Sequence, residues 1–440
     1  MHKHILITSI PSWNQKSGSN TFSSLFSSFK SSDLANIYIS GQLPDSDVCS
    51  RYFHIDEMSV VKSVFWRNLL TGHEVSVTAD TSMSESLKKK SIKRCRIFLW
   101  LRELAWKLGK WKSRELDAFL DDFHPDVLVF PIESYSYFNR LNQYIIERSR
   151  PQKVIAYLWD DNFTYKQHPH SIIFKIERFF LRKQVKKLVT FCTDVLAISP
   201  KMKEECDKNF GIDSIVLTKP IFNQDKFEEF RVSTPIRILY TGKLIIGRDE
   251  TVVKVATAIK EINKGGQKVI LDVYTQTILS KKMRQKIDIP GCCVLHDPVP
   301  QLEVIRLQKE ADVLLFVESL SDKDLTARLS FSTKLTDYFA AGKCVWGVGN
   351  ADLGPIDYIK RENAGFVSSE DTEIMKVLID IVTNPELICE KAKLGYQCGV
   401  RNHNSISIMK KLNSIIISQC GRVNTDIRPD IFCEDSIQIH

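Results

Sequence analysis

Residues Leu239–Asp249 read LYTGKLIIGRD. An apolar run, IRILY (236–240), stops at Thr241-Gly242, and Lys243 follows at once. Arg248 comes five positions later, just before DETVVKVATAIKEI, whose apolar residues have helical spacing. A strand that turns on a glycine into a helix, through a loop bearing two cations, is suited to hold an anion. The stretch therefore reads as the first strand, turn and helix of an α/β domain, with its ligand at the carboxyl end of the strand.

The same alternation runs along the whole chain. Short apolar runs occur at 4–9, 35–40, 126–131, 153–159 and 194–199. A second series occupies 236–240, 268–274, 292–296, 312–317, 343–348 and 364–367. Continuous apolar runs separated by helical patterns are the mark of parallel sheets covered on both faces. Two series predict an α/β protein of two doubly wound Rossmann-like domains facing a central cleft. The pattern breaks at TKPIFNQDKFEEFRVSTP (218–235), which has a proline near each end. The expected division is an N-terminal domain over 1–220, a linker over 221–235, a C-terminal domain over 236–400, and a helix with a tail over 401–440. The cleft would close about the linker.

Within the second domain, SFSTKLTDYFAAG (330–342) reads as a helix that begins near Ser332 and stops at Gly342. Helix N-termini offer unpaired amides and a positive dipole end. Ser330, Phe331, Ser332, Thr333 and Lys334 are thus placed to border a phosphate, together with Gly242, Lys243 and Arg248. Asp337, one turn further in, would accept hydrogen bonds from a ribose diol. The alternative is a solvated loop and an ordinary helix cap.

TGKLIIGRD, followed by ADVLLFVES and SFSTKLTDYFAAGKCVWGVG, resembles the C-terminal domain of group 1 glycosyltransferases over about residues 236–370. That family's usual motif is Gly-Arg with a lysine five residues later. Here Gly242, Lys243 and Arg248 match it with the cations exchanged. Its second motif pairs two glutamates around Gly-Phe-Gly. Here SFS (330–332) replaces the glycine motif, Asp337 takes the second acidic position, and Leu329 takes the first, where it cannot act as an acid. The resemblance implies the GT-B fold, a UDP- or GDP-sugar donor, a hexosyltransferase activity with retention, and a saccharide or lipid-linked acceptor in surface polysaccharide biosynthesis. A nucleotide-sugar epimerase and a non-catalytic, membrane-associated partner protein are the alternatives, the latter favoured by Leu329.

The first domain should then supply the acceptor side. Trp13 and Gly18 lie in the loop after the first strand, where Trp13 either stacks on a sugar or wedges between domains. Asp160 and Asp161 follow KVIAYLW, and Glu133 follows DVLVFPI. Asp160 is the expected catalytic carboxylate, with a helix or turn cap as its alternative; Asp161 and Glu133 are cleft or cap residues. Asp45-Ser46-Asp47 has the D-x-D form of metal-dependent transferases, but it lies far from the cations, and His168 and His170 have no third ligand nearby in sequence. No metal or other cofactor is expected.

Composition sets the remaining bounds. Hydrophobic residues at 43% and charged residues at 26% are those of a globular protein. Eleven cysteines without regular spacing favour reduced thiols and a cytoplasmic setting. No apolar run approaches the roughly 18 residues of a membrane span. The net charge of +8 favours anionic partners. Residues 87–114 are basic and carry Phe98, Trp100, Trp106 and Trp111 among leucines. Such a segment either lies on an anionic membrane surface or packs on the first sheet with its lysines in water. It lacks the surroundings of a nucleic-acid module, so no nucleic-acid partner is expected.

Overall fold

The computed structural model describes residues 3–13, 21–39, 43–75, 96–323 and 325–418. Among the described residues, fourteen strands form two sheets. The first contains β1 (Ile5–Ser9), β2 (Leu34–Tyr38), β3 (Arg51–Ile55), β4 (Gly72–Val75), β5 (Val127–Pro131), β6 (Lys153–Leu158), β7 (Asp194–Ala197) and β8 (Ile215–Val216). The second contains β9 (Ile236–Thr241), β10 (Val269–Tyr274), β11 (Cys293–His296), β12 (Val313–Val317), β13 (Cys344–Val348) and β14 (Phe366–Ser368).

The first sheet has the order β4-β3-β2-β1-β5-β6-β7-β8, and the second β11-β10-β9-β12-β13-β14. Every pairing is parallel except β3 with β4. Strands β1, β2, β5, β6, β12 and β13 are buried along their whole length, because helices cover both faces. The strand order reverses between β1 and β5 in one sheet and between β9 and β12 in the other. A crevice opens beyond the carboxyl ends of the strands at each reversal.

All eleven apolar runs are strands. The strands not foreseen are β3, β4 and β8. β3 and β4 mix apolar and charged residues because they approach a sheet edge, where Arg51 bridges Glu74 at 2.7 Å. β8 has only two residues.

The linker residues 221–235 lie between β8 and β9. Ile221 in the linker bridges to Asn404, and its amide donates to His403 O at 2.8 Å. The helix Pro385–Asn402 carries the second unit slightly past the expected 400. The helix Ser405–Ile417 then crosses back to the first domain. There Lys3 Nζ reaches Ile416 O at 2.9 Å, and Ile408, Leu412, Ile415 and Ile416 join the first core. The tail after Ser418 lies outside the described residues.

The basic segment falls partly within the described residues. Residues 87–95 lie outside the described residues, and a helix covers Arg96–Leu108. Phe98 and Trp100 are exposed, whereas Trp106 and Trp111 are buried against Tyr137 and Tyr144 and so belong to the core of the first domain.

Candidate functional site

Strand β9 ends at Thr241, and Gly242 follows with φ of 149°, a backbone that disfavours any side chain. The Lys334 ammonium occupies the space that a side chain there would enter. Lys334 leaves the first turn of the helix Thr333–Ala341 and sets its ammonium over the Tyr240 ring, 5.2 Å from the centroid. Burial pushes the Lys334 pKa down to about 8, and the nearby Arg248 cation acts in the same direction. Lys334 and Gly242, 92 positions apart, thus form one surface.

Arg248 opens the helix Arg248–Ile262, behind Gly247 at φ of 74°. It makes a two-pronged ion pair with Glu318: Nε to Oε2 at 2.9 Å and Nη2 to Oε1 at 2.8 Å. Glu318 follows the last residue of β12 and is almost fully buried. The pair therefore spans the carboxyl ends of β9 and β12, across the strand reversal. The Glu318 carboxylate is thereby engaged with Arg248. Lys243 is exposed at the same crevice, with no ion pair among the described residues, while its carbonyl accepts the Tyr240 hydroxyl at 2.9 Å.

Ser332 is the N-cap of the helix Thr333–Ala341, yet its side chain makes no capping bond. The amides of the first turn therefore have no side-chain acceptor, and Gly342 ends the helix in the left-handed conformation, as its sequence implied. Thr333 is half-buried beside them. Asp337 is accessible, with Lys219 Nζ 3.7 Å from its carboxylate. Phe331 is not available to a donor. It is buried and stacks on His403 at 5.3 Å, because an apolar ring among polar neighbours was drawn into the hinge. Leu329 is fully buried and apolar.

The first domain brings two carboxyls to the facing wall. Ser330 Oγ donates to Asp160 Oδ1, which joins the two domains across the cleft. Asp160 stays solvent-accessible, yet the crowded cleft walls raise its pKa, against the pull of Ser330. Glu133 stands at the end of β5, at the reversal of the first sheet. Burial, and then the charge of Asp160, raise it to about 8. It is not a helix cap: Tyr135 holds that position, and Asn139 Nδ2 binds the Glu133 carbonyl at 2.9 Å.

Asp161 and Trp13 do not face the cleft as ligand-contacting groups. Asp161 is fully buried and accepts the Thr164 amide at 2.9 Å and the Thr164 hydroxyl, so it shapes its own loop. Trp13 is fully buried and packs on Phe26 with ring centroids 6.4 Å apart, which leaves no face for a sugar. Gly18 lies outside the described residues. Asp45 and Asp47 belong to the first domain, in the loop after β2. Among the described residues no group of His, Cys, Asp and Glu is placed to hold a metal.

Sequence reading missed the residues that fasten the domains together. Arg328 is buried between Asp161, at 3.6 Å, and Glu205. Gln167 Nε2 donates to Thr326 O at 2.9 Å, and Leu325 N donates back to Gln167 O at 3.1 Å. His403 is fully buried, with its ring nitrogens 3.0 Å from Lys219 O and from the Tyr358 hydroxyl; burial lowers its pKa to about 4. A lone arginine, glutamine or histidine carries no periodicity, so no pattern announced them.

Solved structures with the same two-domain arrangement decide the architecture. Anabaena Alr3699/HepE, solved with UDP and glucose, superposes with a TM-score of 0.60 at 9% identity, over 94% of this chain and 99% of that one. The chain has the GT-B fold. Sucrose-phosphate synthase from Thermosynechococcus elongatus matches with a TM-score of 0.60 at 10% identity, over 94% and 98% of the two chains. The trehalose-phosphate synthase (UDP-forming) of Burkholderia vietnamiensis matches with a TM-score of 0.56 at 7% identity, over 93% and 99%. No family model matches the sequence, and no curated protein does. At these identities the likeness speaks for the GT-B architecture, and the chemistry rests on the residues above.

Proposed function

We propose that this GT-B protein is a glycosyltransferase that moves a hexosyl unit from a UDP- or GDP-sugar to a saccharide or lipid-linked acceptor. The reading extends to surface polysaccharide biosynthesis at the cytoplasmic face of a membrane. One observation carries it: Lys243, Arg248 and Lys334 gather at the strand reversal of the second sheet, beside an N-terminal helix turn without a side-chain cap. The structural neighbours solved with UDP and glucose support the same class of donor.

Sugar transfer breaks the bond between the anomeric carbon and the β-phosphate oxygen. Negative charge grows on the leaving diphosphate while the sugar becomes cation-like. Cations fixed at the phosphate bind that state more tightly than the ground state and so lower the barrier. Glu318 holds Arg248 in one orientation before the donor arrives, which reduces the reorganisation needed during the reaction. In this reading the side chains neutralise the diphosphate without a metal. Asp337 accepts from the ribose, and Asp160, with Glu133 behind it, faces the transferred sugar and the acceptor.

Leu329 supports a second reading, a donor-binding protein without turnover, because the position of the family's first acid is apolar and buried. A thermal-shift panel of nucleoside diphosphates and their sugars, followed by product analysis with saccharide acceptors, separates the two. Stabilisation with transfer supports the enzyme; stabilisation without transfer, across donors and acceptors, supports the second reading. No shift with any nucleotide would sink both.

A further inference from the structure

The helix Arg96–Leu108 is mounted with its apolar stripe outward. Its inner side carries polar and aromatic groups. Arg102 pairs with Glu57 at 2.5 Å, Glu103 with Arg140 at 3.3 Å, and Trp106 Nε1 donates to Glu57 at 3.2 Å. Its outer side presents Ile97, Leu101, Leu104 and Leu108, all exposed. Steps of four, three and four residues put these on a single stripe. A helix packed on a core in water turns such a stripe inward; this one turns it away, so an apolar partner outside the fold is needed to cover it.

The patch continues into two neighbours. Trp100 Nε1 donates to Glu177 at 2.8 Å, which joins the helix to Ile172–Val189. There Ile173, Ile176 and Phe180 are exposed in turn. At the other end, Lys110 Nζ reaches Arg67 O at 3.3 Å, beside Phe65 and Trp66, which are 79% and 66% exposed.

Charge identifies the partner. Beyond Phe180 the same stripe continues as Lys183 and Lys187, which with Arg140 and Ser136 line a groove of about 300 Å³. The acidic groups at hand, Glu177 and Glu103, are already engaged with Trp100 and Arg140. A second copy of this chain would set like charges against each other. A surface of anionic headgroups over an acyl layer satisfies both the lysines and the leucines.

We propose that the face formed by the helices Arg96–Leu108 and Ile172–Val189, with the Phe65–Trp66 turn, docks on an anionic bilayer, with Lys183 and Lys187 against its headgroup phosphates. The groove begins at Ser136, three residues after Glu133, within about 11 Å of extended chain. Docking therefore brings the mouth of the cleft to the membrane surface, which deepens the lipid-linked form of the proposed function and depends on that reading only for the acceptor.

Co-sedimentation of the full chain tests this. The protein pellets with vesicles of phosphatidylcholine and phosphatidylglycerol at low salt, is released at high salt, and stays in solution with phosphatidylcholine alone. Lys183→Ser with Lys187→Ser weakens binding roughly thirtyfold, about fivefold for each cation near an anionic surface. Leu101→Ser with Leu104→Ser also weakens it, with an unchanged melting temperature because both leucines are already exposed. Wild-type protein that stays in solution with both vesicle types overturns the proposal. Variants that pellet like the wild type do so too, as does a dimer lost in the leucine variant without any vesicle binding. Nucleotide binding resides in the other domain, so its survival in such a case leaves the proposed function standing.

Discussion

Ser330 of the second domain donates a hydrogen bond to Asp160 of the first, across the cleft. The two walls of the cleft therefore act as one unit when the domains are together. A hydrogen bond to a carboxylate contributes about 1.5–3 kcal/mol, and solvent access at Asp160 places this one near the lower end. Ser330→Ala and Asp160→Ala should each slow transfer. The double variant should lose little more than the worse single one, because both remove the same bond. Additive losses in a double-mutant cycle on transfer rates would show that the two residues act separately.

Lys243 and Arg248 should respond differently to truncation. Lys243 is exposed and unpaired among the described residues, so Lys243→Ala should lower turnover about 100-fold while leaving stability within about 0.5 kcal/mol. Arg248→Ala strands the buried Glu318 carboxylate, so it should lower turnover and also cost about 3 kcal/mol of stability. Denaturant melts beside turnover assays make the comparison. An Arg248→Ala protein as stable as the wild type would mean that the ion pair holds nothing in place.

Lys334 sets a pH dependence on donor binding. Its pKa in the free protein is about 8, and a bound diphosphate favours the charged form and raises it. Affinity should therefore be greatest below pH 8 and fall as the pH rises through that value. Binding near pH 8 should take up protons, which appears in calorimetry as a heat that changes with the ionisation enthalpy of the buffer. Lys334→Met should abolish the dependence. An affinity that is flat from pH 7 to 9 in the wild type would exclude Lys334 from the phosphate site.

His403 links the hinge to acid stability. Its folded pKa of about 4 lies below the unfolded value of about 6.5. The unfolded chain therefore binds a proton first, and stability present above pH 6.5 is lost as pH falls towards 4. The full effect is about 3 kcal/mol. Denaturant titrations at neutral pH and near pH 4 should show it, and His403→Gln should reduce it. A wild-type loss matched by the variant would assign the acid sensitivity to other groups.

Much of this was legible in the chain because it is local or periodic. A buried parallel strand must be a run of apolar residues, so all eleven runs became strands, and Gly242 beside Lys243 marked the loop where the crevice opens. What escaped depends on distant pairings. Nothing near Arg248 in sequence indicates that Glu318 will hold it, and nothing near Gly242 indicates that Lys334 will fill the space above it. Phe331 was expected at the donor because of its place in a motif, but burial against His403 claimed it. Asp161 and Asp160 are adjacent and chemically identical; only the path of the backbone sends one into its own loop and the other into the cleft.

The helix Ser405–Ile417 follows the second domain in the chain, yet it seals the first. Lys153 Nζ reaches Ser418 Oγ at 2.7 Å, and Lys411 Nζ reaches Val216 O at 2.8 Å. During synthesis the first sheet must wait, with its docking surface for Ile408, Leu412, Ile415 and Ile416 uncovered, until translation has passed residue 417. Chains cut before this helix would leave that apolar seam open to chaperones and proteases, so the first domain depends for its closure on a segment made after the second.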